Sequence, residues 1–353
     1  MSTTARRAAV VTLVSGSIVV GALALWKIKI VIALLFLGFI VSAAMRPGIE
    51  WLQLRARVPR PAGLLLHYLV LVGIVGVVLW LFVPRALDQV QQATSITSSS
   101  QLHQQAKHST GIKHDILTGL DKRLRRLPSG TKILHPALEV TKTAFEVLIG
   151  VFFVFAVGAY WIFERDRTIA LVQSMLPRKH RRVTRDTWVL IDQKLGAFVR
   201  GELVLIVFVA VVLSTCFFAI GLPYWLLIGA FAGVVEIVPV IGPLAAGALA
   251  IGVGLTQSWH MGLFAGLVVL IVRQIEDYIV VPRVLGHATG LSPLVVLFSV
   301  TAIGLLLGGF YVLLAIPIAA VLATLLDVVV RDVDPAEQEV PAVLFAGAKE
   351  EGG

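Results

Sequence analysis

The sequence predicts an all-α, polytopic integral membrane bundle of about eight transmembrane helices, with the sixth and eighth segments broken. Three observations predict it. Hydrophobic residues make up 58% of the 353-residue chain and charged residues 14%, with mean hydropathy +0.90, a balance too apolar for one aqueous core. The apolar residues gather in runs of membrane-spanning length divided by short basic stretches. Two runs in the C-terminal third are too long for one straight helix and carry Pro and Gly near their middles. The net charge of +9 suggests nucleic acid as a partner, but the cations sit in loops between apolar runs. That placement fits topology signals and attraction to anionic lipid better than a base-reading surface, so nucleic acid is not expected as a partner. The single cysteine, Cys216, excludes an internal disulfide and a Cys-cluster metal site and is expected to be a small buried hydrophobe.

Met1 to Ala9 is a short polar start, and Val10 to Leu25 and Ile28 to Ala44 are two apolar runs. They suit a hairpin turning at Trp26-Lys27-Ile28-Lys29, an interfacial composition, better than a signal peptide or one long tilted helix. Arg46 to Pro61, with Arg46, Arg55, Arg57 and Arg60, is expected to be a basic cytoplasmic loop. Ala62 to Val83 is the third crossing, closed by Pro84, which completes an N-terminal unit over 1–83. His67 within it is expected to be a satisfied side chain rather than a ligand.

Residues 84–142 turn polar, and Ile112, Ile116, Leu120, Leu124 and Leu127 form a helical stripe opposite Lys122, Arg123, Arg125 and Arg126. This predicts an extracytoplasmic amphipathic region that does not span. His103, His108, His114 and His135 lack the spacing that would put a metal-binding pair on one helical face. Residues 143–201 comprise the fourth crossing, Thr143 to Phe163, and a loop whose arginines and lysines are the strongest cytoplasmic signal in the chain. Residues 202–330 form the expected transport core, with crossings at Leu203 to Ile220, Gly221 to Leu255, Gly262 to Val281 and Ser292 to Val330. The last is expected to break at Gly304, Gly308, Gly309 and Pro317. Residues 331–353, acidic and rich in Pro and Ala, read as a disordered cytoplasmic tail.

The sixth segment carries one carboxylate, Glu236, just before Pro239 and Pro243, and both prolines are expected to break the helix. Backbone unsatisfied by its own helix is tolerated at membrane depth only where protein or a water-filled cavity covers it, which makes this break a candidate pathway. The seventh carries Arg273, Gln274, Glu276 and Asp277. Arg273 and Glu276, three apart, share a face and can pair, as a lock between helices or as a polar wall of the pathway. Asp277 lies about 100° further round and is expected to need another partner or water. Glu236 has no base within a turn, so it is either a proton-coupling carboxylate or a partner of Arg273 or Arg283 across the bundle. The small-residue pairs Gly229 with Gly233, Gly262 with Gly266 and Gly304 with Gly308 permit close helix approach. Hydrolase, zinc-protease, phosphate-loop and paired intramembrane-aspartate motifs are absent, so neither catalysis nor ATP drive is expected.

These C-terminal segments carry a family resemblance. Pro239-x-x-Gly242-Pro243, Gln274-Ile275-Glu276 with Pro282 and Gly286, and Ala315-Ile316-Pro317 together resemble the autoinducer-2 exporter family, the PerM-like permeases. Two departures are Ser292, where a histidine is expected before Pro293, and the Gly308-Gly309-Phe310-Tyr311 stretch, which lacks a later glycine. The resemblance implies about eight membrane helices, export of small polar solutes and a homo-oligomer. Family members are linked to autoinducer-2 export and, in some cases, to sodium/proton antiport, so the substrate does not carry over. The expected protein is a non-enzymatic secondary transporter of a small molecule or ion in the cell membrane, without a cofactor and with both termini cytoplasmic. A passive channel or a membrane scaffold is the alternative, and an intramembrane enzyme is a more distant one. The expected pathway residues are Glu236, Pro239, Gly242, Pro243, Arg273, Gln274, Glu276, Asp277 and Pro317.

Overall fold

Lipid offers a backbone no hydrogen-bond partners, so a chain this apolar satisfies its amides within helices. The computed structural model describes residues 3–96, 134–238, 241–285, 290–338 and 340, and among them there are helices and turns but no strand. The helices are α1 (Thr3–Lys27), α2 (Lys29–Ala56), α3 (Arg60–Ile96), α4 (Leu134–Met175), α5 (Arg178–Ala219), α6 (Trp225–Val235), α7 (Ile241–Gln257) and α8 (Trp259–Ile275). A π turn over Glu276–Val280 leads into α9 (Val281–Val284), and α10 (Pro293–Leu307), α11 (Gly309–Val312) and α12 (Ala315–Val329) follow. Helices α2, α4 and α5 contain stretches long and apolar enough to cross a membrane.

Packing centres on α5. It lies against α2, α6 and α12, while α2 also packs on α4, and α7 on α8. Gly229 and Gly233 let α6 approach closely, because a Cβ there would meet Ser214 and the Ile206 carbonyl of α5. The core under these helices gathers Leu213, Phe217, Ile228, Ala232, Ala250 and Val272.

Both overlong segments break, and each break turns the chain back. In the sixth, α6 and α7 pack on each other across residues 236–240. In the eighth, Gly308 adopts φ +107°, and α10 and α12 pair through Val300, Ala315 and Ile316. The two hairpins enter from opposite ends. The first points its tip toward the end of the bundle that holds Arg46, Arg165 and Arg182, the basic end. The second points its tip the other way, where Lys29 lies 5.4 Å from the Tyr311 ring.

Several expected loops are helical instead. A turn at Trp26–Lys29 does not reverse the chain, since the Ile28 and Ile32 amides bond to the Ala24 and Ile28 carbonyls, at 3.1 Å each, and carry the ladder through. The basic stretch after Ala44 stays helical to Ala56, past Pro47, with Arg46 paired to Glu50 one turn on. Proline removes a single bond from a helix already nucleated, and α3 likewise runs past Pro84 to Ile96. The arginine-rich stretch after Phe163 forms the ends of α4 and α5, joined by a turn at Leu176 and Pro177. At 42 residues, α5 spans about 63 Å, roughly twice the hydrocarbon thickness, so its basic half projects beyond the bilayer. His67 is satisfied at Nδ1 by the Gly63 carbonyl, at 2.8 Å, as expected. Pro239, the amphipathic stripe of 112–127 and His103, His108 and His114 lie outside the described residues.

The segment after α12 also departs from expectation. Rather than leaving the bundle at Arg331, the chain makes a 3-10 turn over Pro335–Glu337 that lies on α5.

Candidate transport site

The tip of the first hairpin carries the main charge cluster. Glu236 caps the C-terminus of α6 and is 7% exposed. Opposite it, Arg273 in the last turn of α8 donates from Nη1 to Glu236 Oε1 at 2.8 Å and to Glu276 Oε1 at 3.1 Å. Its Nε donates to Asp277 Oδ2 at 3.1 Å, so one guanidinium serves three carboxylates. Glu276 is 3% exposed, and its carboxylate and that of Glu236 both accept from Arg273 Nη1. Charges this buried are tolerable only because they are paired.

The local sequence explains the geometry. Pro282 has no amide hydrogen, and its ring would clash with the carbonyl of Tyr278 in a regular helix. The chain widens instead into the π turn, in which the Val281 amide reaches back five residues to the Glu276 carbonyl. Such single π turns mark functional sites in many helices. Gly242 completes the tip, since a Cβ there would lie 2.1 Å from the Val235 carbonyl oxygen. Only glycine lets α7 start against the end of α6.

The expected pairing of Arg273 with Glu276 is present. Glu236 takes the cross-bundle pairing with Arg273 rather than standing alone. Asp277 needs no other partner, because residues four apart on a helix are neighbours and Arg273 reaches both. Pro243 opens α7 rather than breaking a helix, as the third residue of a first turn whose amides have no intrahelical acceptor. Pro317 holds the same place in α12, buried in the second hairpin and outside the charge cluster. Gln274 is exposed and also lies outside it.

One member was missed. Glu202 on α5 lies within electrostatic reach of Glu236, Glu276 and Arg273, and the sequence hid it among the arginines before Leu203. Its only sequence signal is a carboxylate at the start of an apolar run. Glu202 brings the carboxylates around the one guanidinium from three to four, which suits the cluster to holding a proton or a cation.

A second buried network lies at the basic end. Asp192 of α5 accepts from Arg165 of α4 and lies 3.6 Å from Arg46 of α2, which in turn pairs with Glu50. It ties three helices together and touches no part of the first cluster.

The fold and cluster can be set beside known proteins. The family model described as AI-2E family transporter matches residues 16–331. The chain belongs to the AI-2E transporter family. Among curated proteins, this AI-2E family member is 24% identical over 309 residues to "Putative transport protein YrrI" of Bacillus subtilis, covering 85% of this chain and 86% of that one. It is 26% identical over 294 residues to "Putative transport protein YueF" of the same organism, covering 79% of each. Over 165 residues it is 27% identical to "Putative permease PerM" of Escherichia coli K12, covering 45% of each. Family and apolar helices together make it a multi-pass membrane transporter.

Proposed function

We propose that the protein is a secondary transporter that exports a small polar solute across the cell membrane, coupled to protons or sodium through the cluster of Glu236, Arg273 and Glu276. The observation that carries this reading is the position of that cluster at the tip of a broken helical hairpin. Facing carboxylates that share one arginine can gain or lose a proton, or a cation, without leaving a bare buried charge. The opposed second hairpin supports the reading, because its flank packs near the same tip: Val238 joins the core of Val300, Ala315 and Ile316. Two helical elements entering from opposite ends and meeting near the middle suit a pathway opened to one side at a time. Gly242 belongs to the tip, and Pro243 and Pro317 start the returning helices.

In this reading the basic end faces the cytoplasm, as the concentration of arginine there favours, and the chain after α12 lies on that side, whereas α1, running on into α2 without reversal, carries the N-terminal end to the other. A homo-oligomer belongs to the same proposal, and native mass spectrometry in detergent tests it. Transport is tested in proteoliposomes with autoinducer-2 and sodium as probes, with and without an imposed pH difference. Uphill movement that follows the imposed gradient supports coupling. Simple equilibration at the same rate under both conditions would make the protein a passive channel.

A further inference from the structure

The chain beyond α12 is held at three points along α5. Asp334 caps the 3-10 turn by accepting from the Ala336 amide at 3.0 Å and accepts from Arg182 Nη2 at 2.8 Å. Gln338 Oε1 accepts from Lys194 Nζ at 2.8 Å, and the same ammonium donates to Thr324 of α12 at 3.1 Å. Val340 packs on Ala197, which is fully buried, beside Val284 of α9. From Arg182 to Ala197 these contacts extend about 22 Å along α5. Pro335 is buried between the first two. Burial pushes the Lys194 ammonium below its ordinary range, while Asp327 pulls it back.

The third point matters most. Val284 lies in α9, directly after the π turn that carries Glu276 and Asp277. The next residue, Leu285, covers Gly201, the neighbour of Glu202, and a Cβ on Gly201 would meet it at 2.4 Å. The contact of α9 with α5 therefore helps keep Glu202 facing the Arg273 cluster. The strap lies across that contact.

We propose that residues 334–338 together with Val340 form a latch that fastens α9 to α5 at the basic end of the transport pathway, so that this end opens only when the strap comes off. The location of the pathway rests on the function proposed above. The grip is weak by design of its parts. Its one ion pair joins side chains that are 71% and 35% exposed, so salt and other anions compete for it. Arg178, Lys179 and Arg181, exposed beside Arg182, concentrate such anions, whether free ions or lipid headgroups.

The test uses the full chain with Cys216→Ser and Leu285→Cys, and measures maleimide labelling of position 285 in detergent and after reconstitution into anionic or zwitterionic vesicles. Asp334→Asn with Gln338→Ala should speed labelling about tenfold, the effect of weakening one exposed ion pair and losing one hydrogen bond from an ammonium in a local opening equilibrium. With the strap sequence unaltered, high sodium chloride should speed labelling too, and anionic vesicles should exceed zwitterionic ones if headgroups are the competitor. Equal labelling rates in the variant, in salt and in both vesicles would overturn the latch. The readout needs no substrate. Faster labelling without flux would sink the transporter reading and leave the latch, whereas flux with unchanged labelling would do the reverse.

Discussion

Replacing Arg273 with Met removes the guanidinium that holds Glu236, Glu276 and Asp277, and the three losses are unequal. Glu236 and Glu276 are 7% and 3% exposed, and breaking such a buried pair costs about 3–5 kcal/mol because the remaining charge is left unpaired. The Asp277 side chain is 42% exposed, so its share is under about 1 kcal/mol. Glu276→Gln should cost only about 1–2 kcal/mol, since the amide oxygen can still accept and Arg273 keeps its other two partners. The double variant Arg273→Met with Glu276→Gln should not recover, because Glu236 stays buried and alone. Adding Glu236→Gln should restore most of the loss. Thermal unfolding of the detergent-solubilised proteins checks the order: Asp277→Asn mildest, then Glu276→Gln, with Arg273→Met and the double variant worst and the triple variant near wild type. A fully stable double variant, or an Asp277→Asn protein as damaged as Arg273→Met, would refute the shared-arginine account.

At the second network, Asp192→Asn leaves the buried Arg165 with only the exposed Asp166 as carboxylate and should cost about 1–3 kcal/mol, read as a lower detergent melting temperature. Gly242→Val places side-chain atoms against the Val235 carbonyl and should destabilise the tip by about 1–3 kcal/mol, with flux falling further than stability. Pro243→Ala should change stability by under about 1 kcal/mol, because a first-turn proline gives up no intrahelical bond; a large loss would show that it sets the break itself. For orientation, a cysteine at Ser174 in a Cys216→Ser background should resist an impermeant maleimide in intact cells, whereas one at Ser129 should react. The reverse pattern would invert the topology.

The membrane class, the two broken segments and the charged residues near them were legible in the sequence, because apolar runs and Pro/Gly interruptions are local signals. What each break does was not. Whether Gly308 bends a helix or turns it back depends on a φ of +107° and on Val300 meeting Ala315, contacts between residues distant in sequence. The pairing of Glu236 with Arg273 spans 37 positions, and no periodicity reports it. Asp277 is a different case: its angle to Glu276 points away from that pair, but its four-residue spacing from Arg273 puts it within the guanidinium's reach. The basic stretches look like loops in sequence because charge reads as surface. Here charge lies on helices longer than the bilayer is thick, and Asp334 of the strap pairs with that basic face.

The central claim is that Glu236 couples solute movement to an ion. The most direct measurement is the response of a pH-sensitive dye trapped in proteoliposomes when an autoinducer-2 or sodium gradient is imposed, for wild type and for Glu236→Gln. The account predicts proton movement driven by one of these gradients in the wild-type protein, and its loss in a Glu236→Gln protein that remains folded. A wild-type response no larger than that of protein-free liposomes to either gradient, or an undiminished response in Glu236→Gln, would contradict it.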